Sequence, residues 1–144
     1  MPIDPAWKRE NRTPRILIVD DDPEVADPVR FALEGLGYDV VHMPNGILGA
    51  QKLEEFQPDL LVLDMMMPGQ SGFLVLEHIR RTKREQLRVI MVTANEGMRH
   101  QAYARMLGVD DYLLKPFSLE QLVGRVQELL DQPFPDDHPN ASPR

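Results

Sequence analysis

The stretch DLLVLDMMMPG, residues 59–69, carries an apolar run onto a single aspartate, Asp64, and then into three methionines before Pro68. A short apolar run bounded by turn-forming residues reads as a buried strand, and one that is apolar on both alternating faces reads as a parallel strand covered from above and below. The charge at its end is either the tip of that strand at a functional cleft or the start of an ordinary surface loop. The rest of the chain repeats the pattern: RILIVD (15–20), YDVVHM (38–43), RVIMVTA (88–94) and DYLLK (111–115) are further strand candidates. Helical periodicity fills the intervals, in PEVADPVRFALEGLG (23–37), ILGAQKLEEF (47–56), FLVLEHIRRTK (73–83), MRHQAYARML (98–107) and SLEQLVGRVQELL (118–130). In the first of these Val25, Val29, Ala32, Leu33 and Leu36 share a stripe, Asp22 and Pro23 supply an N-cap and first turn, and Gly37 follows the end. Ser118 is the corresponding cap of the last helix. Pro28 conflicts with its own helix, at a cost of about 3 kcal/mol for the lost donor and the crowded turn. Strand and helix alternating five times make an α/β protein, a doubly wound five-stranded parallel sheet of (βα)5 type. In such sheets ligands sit beyond the carboxyl ends of the strands, at the switch point of the winding.

The 144 residues suffice for one domain with a real core. Residues 1–14 mix Pro, Asn, Arg and Lys without sustained periodicity and read as a flexible arm, mildly basic through Lys8, Arg9 and Arg12; residues 15–131 read as the domain. Residues 132–144, with four prolines, read as a disordered tail or linker. The lack of cysteine removes disulfides, thiolate metal sites and cysteine nucleophiles. No apolar run approaches the roughly 18 residues of a membrane span, and the amino-terminal residues lack the apolar core of a signal peptide. The expectation is a cytoplasmic protein without membrane insertion. A formal net charge of -7 opposes direct nucleic-acid binding, and an acidic excess permits a cation site.

The strand ends gather the chemistry. The first ends in Asp20, Asp21 and Asp22, the third in Asp64, the fourth in Thr93 and Ala94, and the fifth in Lys115, Pro116 and Phe117. Carboxylates crowded together resist joint ionisation unless a divalent cation offsets them, and oxygen ligands favour magnesium or manganese. Each residue also has an ordinary reading: the Asp run as a helix cap, Thr93 as a buried strand residue, Lys115 as a solvated loop charge. Their joint position at the ends of successive strands is what favours a site.

At these residues ILIVDDD, VLDMMMPGQSG, MVTA and YLLKPF resemble the signature segments of the response-regulator receiver domain of two-component signalling, over about Arg15 to Leu130. The resemblance implies a flavodoxin-like sheet of strand order 2-1-3-4-5. It makes Asp64 the phospho-acceptor, taking a phosphoryl group from a phosphohistidine on a sensor histidine kinase or phosphotransfer protein. Asp20, Asp21, Asp64 and the backbone carbonyl of Met66 become the ligands of Mg2+, with Mn2+ as a substitute. Thr93 and Lys115 become the groups that bind phosphoryl oxygens, and Thr93 with Tyr112 the switch that changes the face made by the fourth helix, fifth strand and fifth helix. Met66 and Asn95 line the path of attacking water, Met67 anchors the loop inward, and Met65 has no assigned role. Lys115-Pro116 matches the family's cis peptide.

The output implied is a contact with a downstream protein target. The segment GVDDYLLKPFSLEQLVGRV resembles receivers of the winged-helix transcription-factor branch, where Asp110, Asp111 and Arg125 match charged positions of a homodimer face, although Gln121 stands where an acid is common. The receiver of a longer response regulator or hybrid kinase would have the same chemistry. The chain is expected to phosphorylate and dephosphorylate itself rather than to act as a turnover enzyme. An aspartyl-phosphate phosphatase would carry an acid two residues after the nucleophile, where Met66 stands, and a flavin carrier would need a hydroxyl- and glycine-rich loop in place of DDDPEV. His42, His78, His100 and His138 lack metal-ligand spacing.

Overall fold

A computed structural model of the chain describes residues 1–67, 70–82, 86–94 and 98–135. Strands β1 (Arg15–Val19), β2 (Asp39–Met43), β3 (Leu60–Asp64), β4 (Arg88–Thr93) and β5 (Asp111–Leu114) alternate with helices α1 (Pro23–Gly35), α2 (Gly46–Phe56), α3 (Gly72–Arg81), α4 (Met98–Met106) and α5 (Leu119–Asp131). The strands form one parallel sheet in the order β2-β1-β3-β4-β5, the expected flavodoxin-like winding.

The period of two along each strand builds two cores. Ile16, Ile18, Leu60, Val62, Ile90 and Val92 face α1 and α5, meeting Val29, Leu33, Leu122 and Val126. Leu17, Val19, Leu61, Leu63, Val89 and Met91 face the other way, toward Leu53 of α2, Leu76 and Ile79 of α3, and Ala104 of α4. β3 is therefore buried along its whole length, and truncating Leu61 or Leu63 to alanine would cost about 2–5 kcal/mol. The winding reverses between β1 and β3, which places the carboxyl ends of those two strands at the switch point.

The caps follow the sequence. Asp22 accepts from the Glu24 amide, Ser118 from Gln121, and Gly37 turns out of α1 at φ +92°. Pro28 lies inside α1, which continues through it; the residue is exposed and near the amino end, so a single carbonyl of the first turns loses its donor. The buried stripe of α1 is Ala26, Val29 and Leu33 rather than one ending at Leu36, which is 47% exposed beyond the last packed turn. None of the described helices is long and apolar enough to cross a membrane.

The amino-terminal residues differ from their expectation as a flexible arm. They pack against the amino edge of the sheet through a short helix, Ala6–Arg9, and an antiparallel bridge between Ile3 and Phe134. Trp7 Nε1 donates to Leu130 O at 2.9 Å, Lys8 pairs with Asp131, and Arg12 grips the buried Asp59 carboxylate through two nitrogens at 2.8 and 3.0 Å. The basic residues of this segment are thus spent on contacts within the chain. Residues 132–135, expected in a disordered tail, also lie against the body: Phe134 is buried beneath the Arg88 guanidinium, which donates to the carbonyls of Gln132 and Pro133. Neither segment shows periodicity, because each is held by separate anchors on different elements and not by one continuous face.

Candidate functional site

β1 and β3 are adjacent and in register, Val19 beside Leu63, so the residues that follow them emerge together at the carboxyl edge. One carboxylate oxygen from each of Asp20, Asp21 and Asp64 falls within 4.8 Å of the others. Asp20 and Asp64 are almost fully buried and Asp21 is exposed, so the cluster has a dry floor and an open rim. β5 brings Lys115 to the same floor: its Nζ lies 3.1 Å from Asp20 Oδ2 and 3.5 Å from Asp64 Oδ2. The Lys115-Pro116 bond is cis, as the resemblance implied.

The electrostatics follow from burial. Desolvation first, then the charge of Asp20 and the hydrogen bond that the protonated carboxyl can donate to Asp21, push Asp64 up to about 6, against the opposing effects of the Met66 amide and Lys115. The Met66 amide donates to Asp64 Oδ1 at 3.1 Å. Burial pulls the Lys115 ammonium down, but Asp20 and Asp64 outweigh it and the net direction is upward. Asp20 Oδ1 accepts from the Asp22 amide at 2.9 Å. Asp20 Oδ2 is buried without a hydrogen bond of proper geometry, Lys115 serving it as a charge contact. Three carboxylates against one ammonium, with a buried oxygen still lacking a donor, fit a small divalent cation that prefers oxygen.

Thr93 ends β4 fully buried, and its carbonyl accepts from the Lys115 amide at 2.8 Å. Tyr112, half-buried, is hydrogen-bonded to the Thr93 side chain, and its hydroxyl donates to Met65 Sδ at 3.8 Å. Burial raises the phenol, with the Thr93 bond acting the other way. Met65 thereby acquires a place: 1% exposed, it links the residue after Asp64 to Tyr112. Met67 is buried, as an inward anchor should be, whereas the Met66 side chain is 57% exposed beside the pocket. Asn95, expected on the water path, lies outside the described residues.

The three charged residues of the expected dimer face have partners inside the chain. Asp111 meets Arg125 at 2.7 Å, and Asp110 meets Arg88 at 3.2 Å while accepting from the Val89 amide at 2.8 Å. Asp110 in particular joins β4 to the turn before β5.

Two further residues, Gly72 and His42, border the site. Gly72 begins α3 where a Cβ would meet Asp64 O at 2.4 Å and Met65 Cα at 2.9 Å, so only glycine lets this helix start against the strand end. Its signal was the glycine after Ser71, which caps α3 by accepting from the Phe73 amide. His42, on β2, contacts the Asp20 carbonyl; examining the end of the second strand along with the other four would have found it.

Fold and site together define an α/β domain of flavodoxin-like winding whose carboxyl edge holds an acidic pocket faced by a lysine. Residues 16–127 match the response regulator receiver domain, and the chain belongs to that family. It is 43% identical over 118 residues to the DNA-binding dual master transcriptional regulator RpaA of Synechocystis, covering 81% of this chain and 49% of that protein. The chain spans about half the length of the curated relatives it matches. Among solved structures it resembles a CheY-like response regulator receiver domain protein from Methanospirillum hungatei, at 30% identity and a TM-score of 0.78 over 82% of this chain and 94% of that one. It also resembles the response regulator TrrA of Thermotoga maritima in complex with Mg2+ and BeF, at 31% identity and a TM-score of 0.72 over 82% of this chain and all of that one. As a receiver domain it is consistent with phosphorylation-activated signalling.

Proposed function

We propose that Asp64 accepts a phosphoryl group from a phosphohistidine on a sensor histidine kinase or phosphotransfer protein. The observation that carries this is the meeting of Asp20, Asp21, Asp64 and Lys115 in one pocket at the switch point. An Asp64 carboxylate oxygen attacks phosphorus, the P–N bond breaks, and its electron pair returns to the imidazole nitrogen, leaving an acyl phosphate. Lys115 turns from the carboxylates to one phosphoryl oxygen as a point charge, and the Thr93 hydroxyl binds another. Mg2+, or Mn2+, held by Asp20, Asp21, Asp64 and the Met66 carbonyl, would supply neutralisation of the phosphoryl charge.

The switch follows from the same contacts. Drawing the Thr93 hydroxyl toward the phosphoryl group breaks its bond to Tyr112, and Tyr112 then repositions on the α4-β5-α5 face, altering contacts with a downstream protein or a second copy of the chain. The domain phosphorylates and dephosphorylates itself instead of turning over a substrate, since Met66 offers no general acid two residues after Asp64. The same chemistry serves a stand-alone regulator and the receiver portion of a longer one.

Incubation with Mg2+ and acetyl phosphate, followed by mass spectrometry, tests the assignment. Wild type should gain one phosphoryl group, labile to hydroxylamine, and Asp64→Asn should gain none; equal gain by the Asn variant would sink it.

A further inference from the structure

His42 Nε2 lies 2.7 Å from the backbone oxygen of Asp20. A carbonyl only accepts, so this nitrogen carries the proton. The next residue of β2, Met43, takes the Asp20 amide on its own carbonyl at 3.2 Å. Consecutive residues of β2 therefore hold both backbone groups of Asp20, which lies just past the end of β1.

The consequence falls on Asp21. The oxygen of Asp20 and the amide of Asp21 share one planar unit, so fixing the oxygen fixes the plane from which the Asp21 side chain departs. Asp21 is exposed and belongs to no strand. Magnesium demands near-ideal octahedral geometry, with ligands at about 2.0–2.1 Å, and tolerates little rotation of such a plane. We propose that His42 is a positioning residue of the acidic site, orienting Asp21 for a divalent cation through the Asp20 carbonyl. This rests on the pocket being a cation site, as proposed above.

The whole chain is titrated calorimetrically with MgCl2 as wild type, His42→Val and His42→Gln. Valine suits a strand but has no donor, whereas glutamine keeps one. The expected result is about a tenfold or greater loss of Mg2+ affinity in His42→Val, the usual consequence of removing a group that orients a ligand, with most of it restored in His42→Gln. The urea midpoint of the metal-free protein should be unchanged in His42→Val, and the metal-free wild type should show a protected imidazole Nε2–H resonance. Undiminished Mg2+ affinity in His42→Val overturns the proposal. So does a joint loss of affinity and stability that glutamine fails to restore. A wild-type chain that takes up no Mg2+ defeats the underlying cation site instead, which keeps the two failures distinct.

Discussion

Lys115 Nζ stands 3.5 Å from Asp64 Oδ2, so the proposed acceptor rests against the one cation of its pocket that the described residues supply. Removing the ammonium leaves buried negative charge without an offset, a cost of about 1–3 kcal/mol. Lys115→Met should therefore destabilise the metal-free domain more at pH 8, where Asp64 is ionised, than at pH 5. Urea unfolding at the two pH values checks this, and Lys115→Arg should not restore phosphoryl-dependent behaviour because a planar fork differs from a point charge.

Asp64 titrates at about 6, above its usual value near 3.8, so in this interval the folded state binds more protons than the unfolded state. Its contribution to stability is fully present below the unfolded pKa and is lost as pH rises through about 6. Asp64→Asn should accordingly stabilise the metal-free domain at pH 8 by on the order of 1–3 kcal/mol, with the gain fading toward pH 4. Thermal or urea unfolding across that range is the measurement.

Gly72→Ala places a methyl group 2.4 Å from the Asp64 carbonyl oxygen, a backbone atom that cannot yield without moving the strand end. Stability should fall by about 1–3 kcal/mol, and phosphorylation by acetyl phosphate should slow with it. Gly35→Ala, with open space at its Cβ, is the control that should leave both unchanged or slightly improved.

Met66 stands beside the pocket with its amide on Asp64 and its side chain exposed. An apolar side chain there would shield the acyl phosphate proposed on Asp64 from water. Met66→Asn should shorten the phosphorylated lifetime roughly tenfold, equivalent to ~1.4 kcal/mol on the barrier. Decay of the acyl phosphate measured by mass spectrometry gives the rate.

Trp7→Ala removes both a packed indole and the donor to Leu130 O. The expected loss is about 1–3 kcal/mol, accompanied by faster hydrogen exchange at residues 130–134. Exchange rates that match wild type would show the amino-terminal segment to be merely resting on the surface.

The periodic features were legible in the sequence. The five strands of the parallel sheet, the five helices that alternate with them and the assembly of Asp20, Asp21, Asp64, Thr93 and Lys115 at one edge follow from period-two and helical patterns, because the position of a strand end needs only the pattern and the winding. What escaped depends on contacts between distant segments. The Arg12–Asp59 pair joins residues 47 apart and leaves no local pattern, and Asp59 looked like any acid before a strand. Asp110, Asp111 and Arg125 were read as charged positions of a homodimer face, and their partners within the chain were missed because a charged residue does not announce its partner. His42 was weighed as a metal ligand, whereas its contact is with a backbone oxygen, which no spacing rule describes.

The bridge between Ile3 and Phe134, with amide-to-carbonyl bonds of 2.7 and 2.8 Å in both directions, gives the described chain the character of an almost closed ring. In such a ring the starting point is a convention. A short splice across the bridge, with a new opening at the exposed Gly37 turn, should yield a permuted chain that keeps the same sheet order and acidic pocket, since every contact of that pocket is made without regard to where the polypeptide is cut.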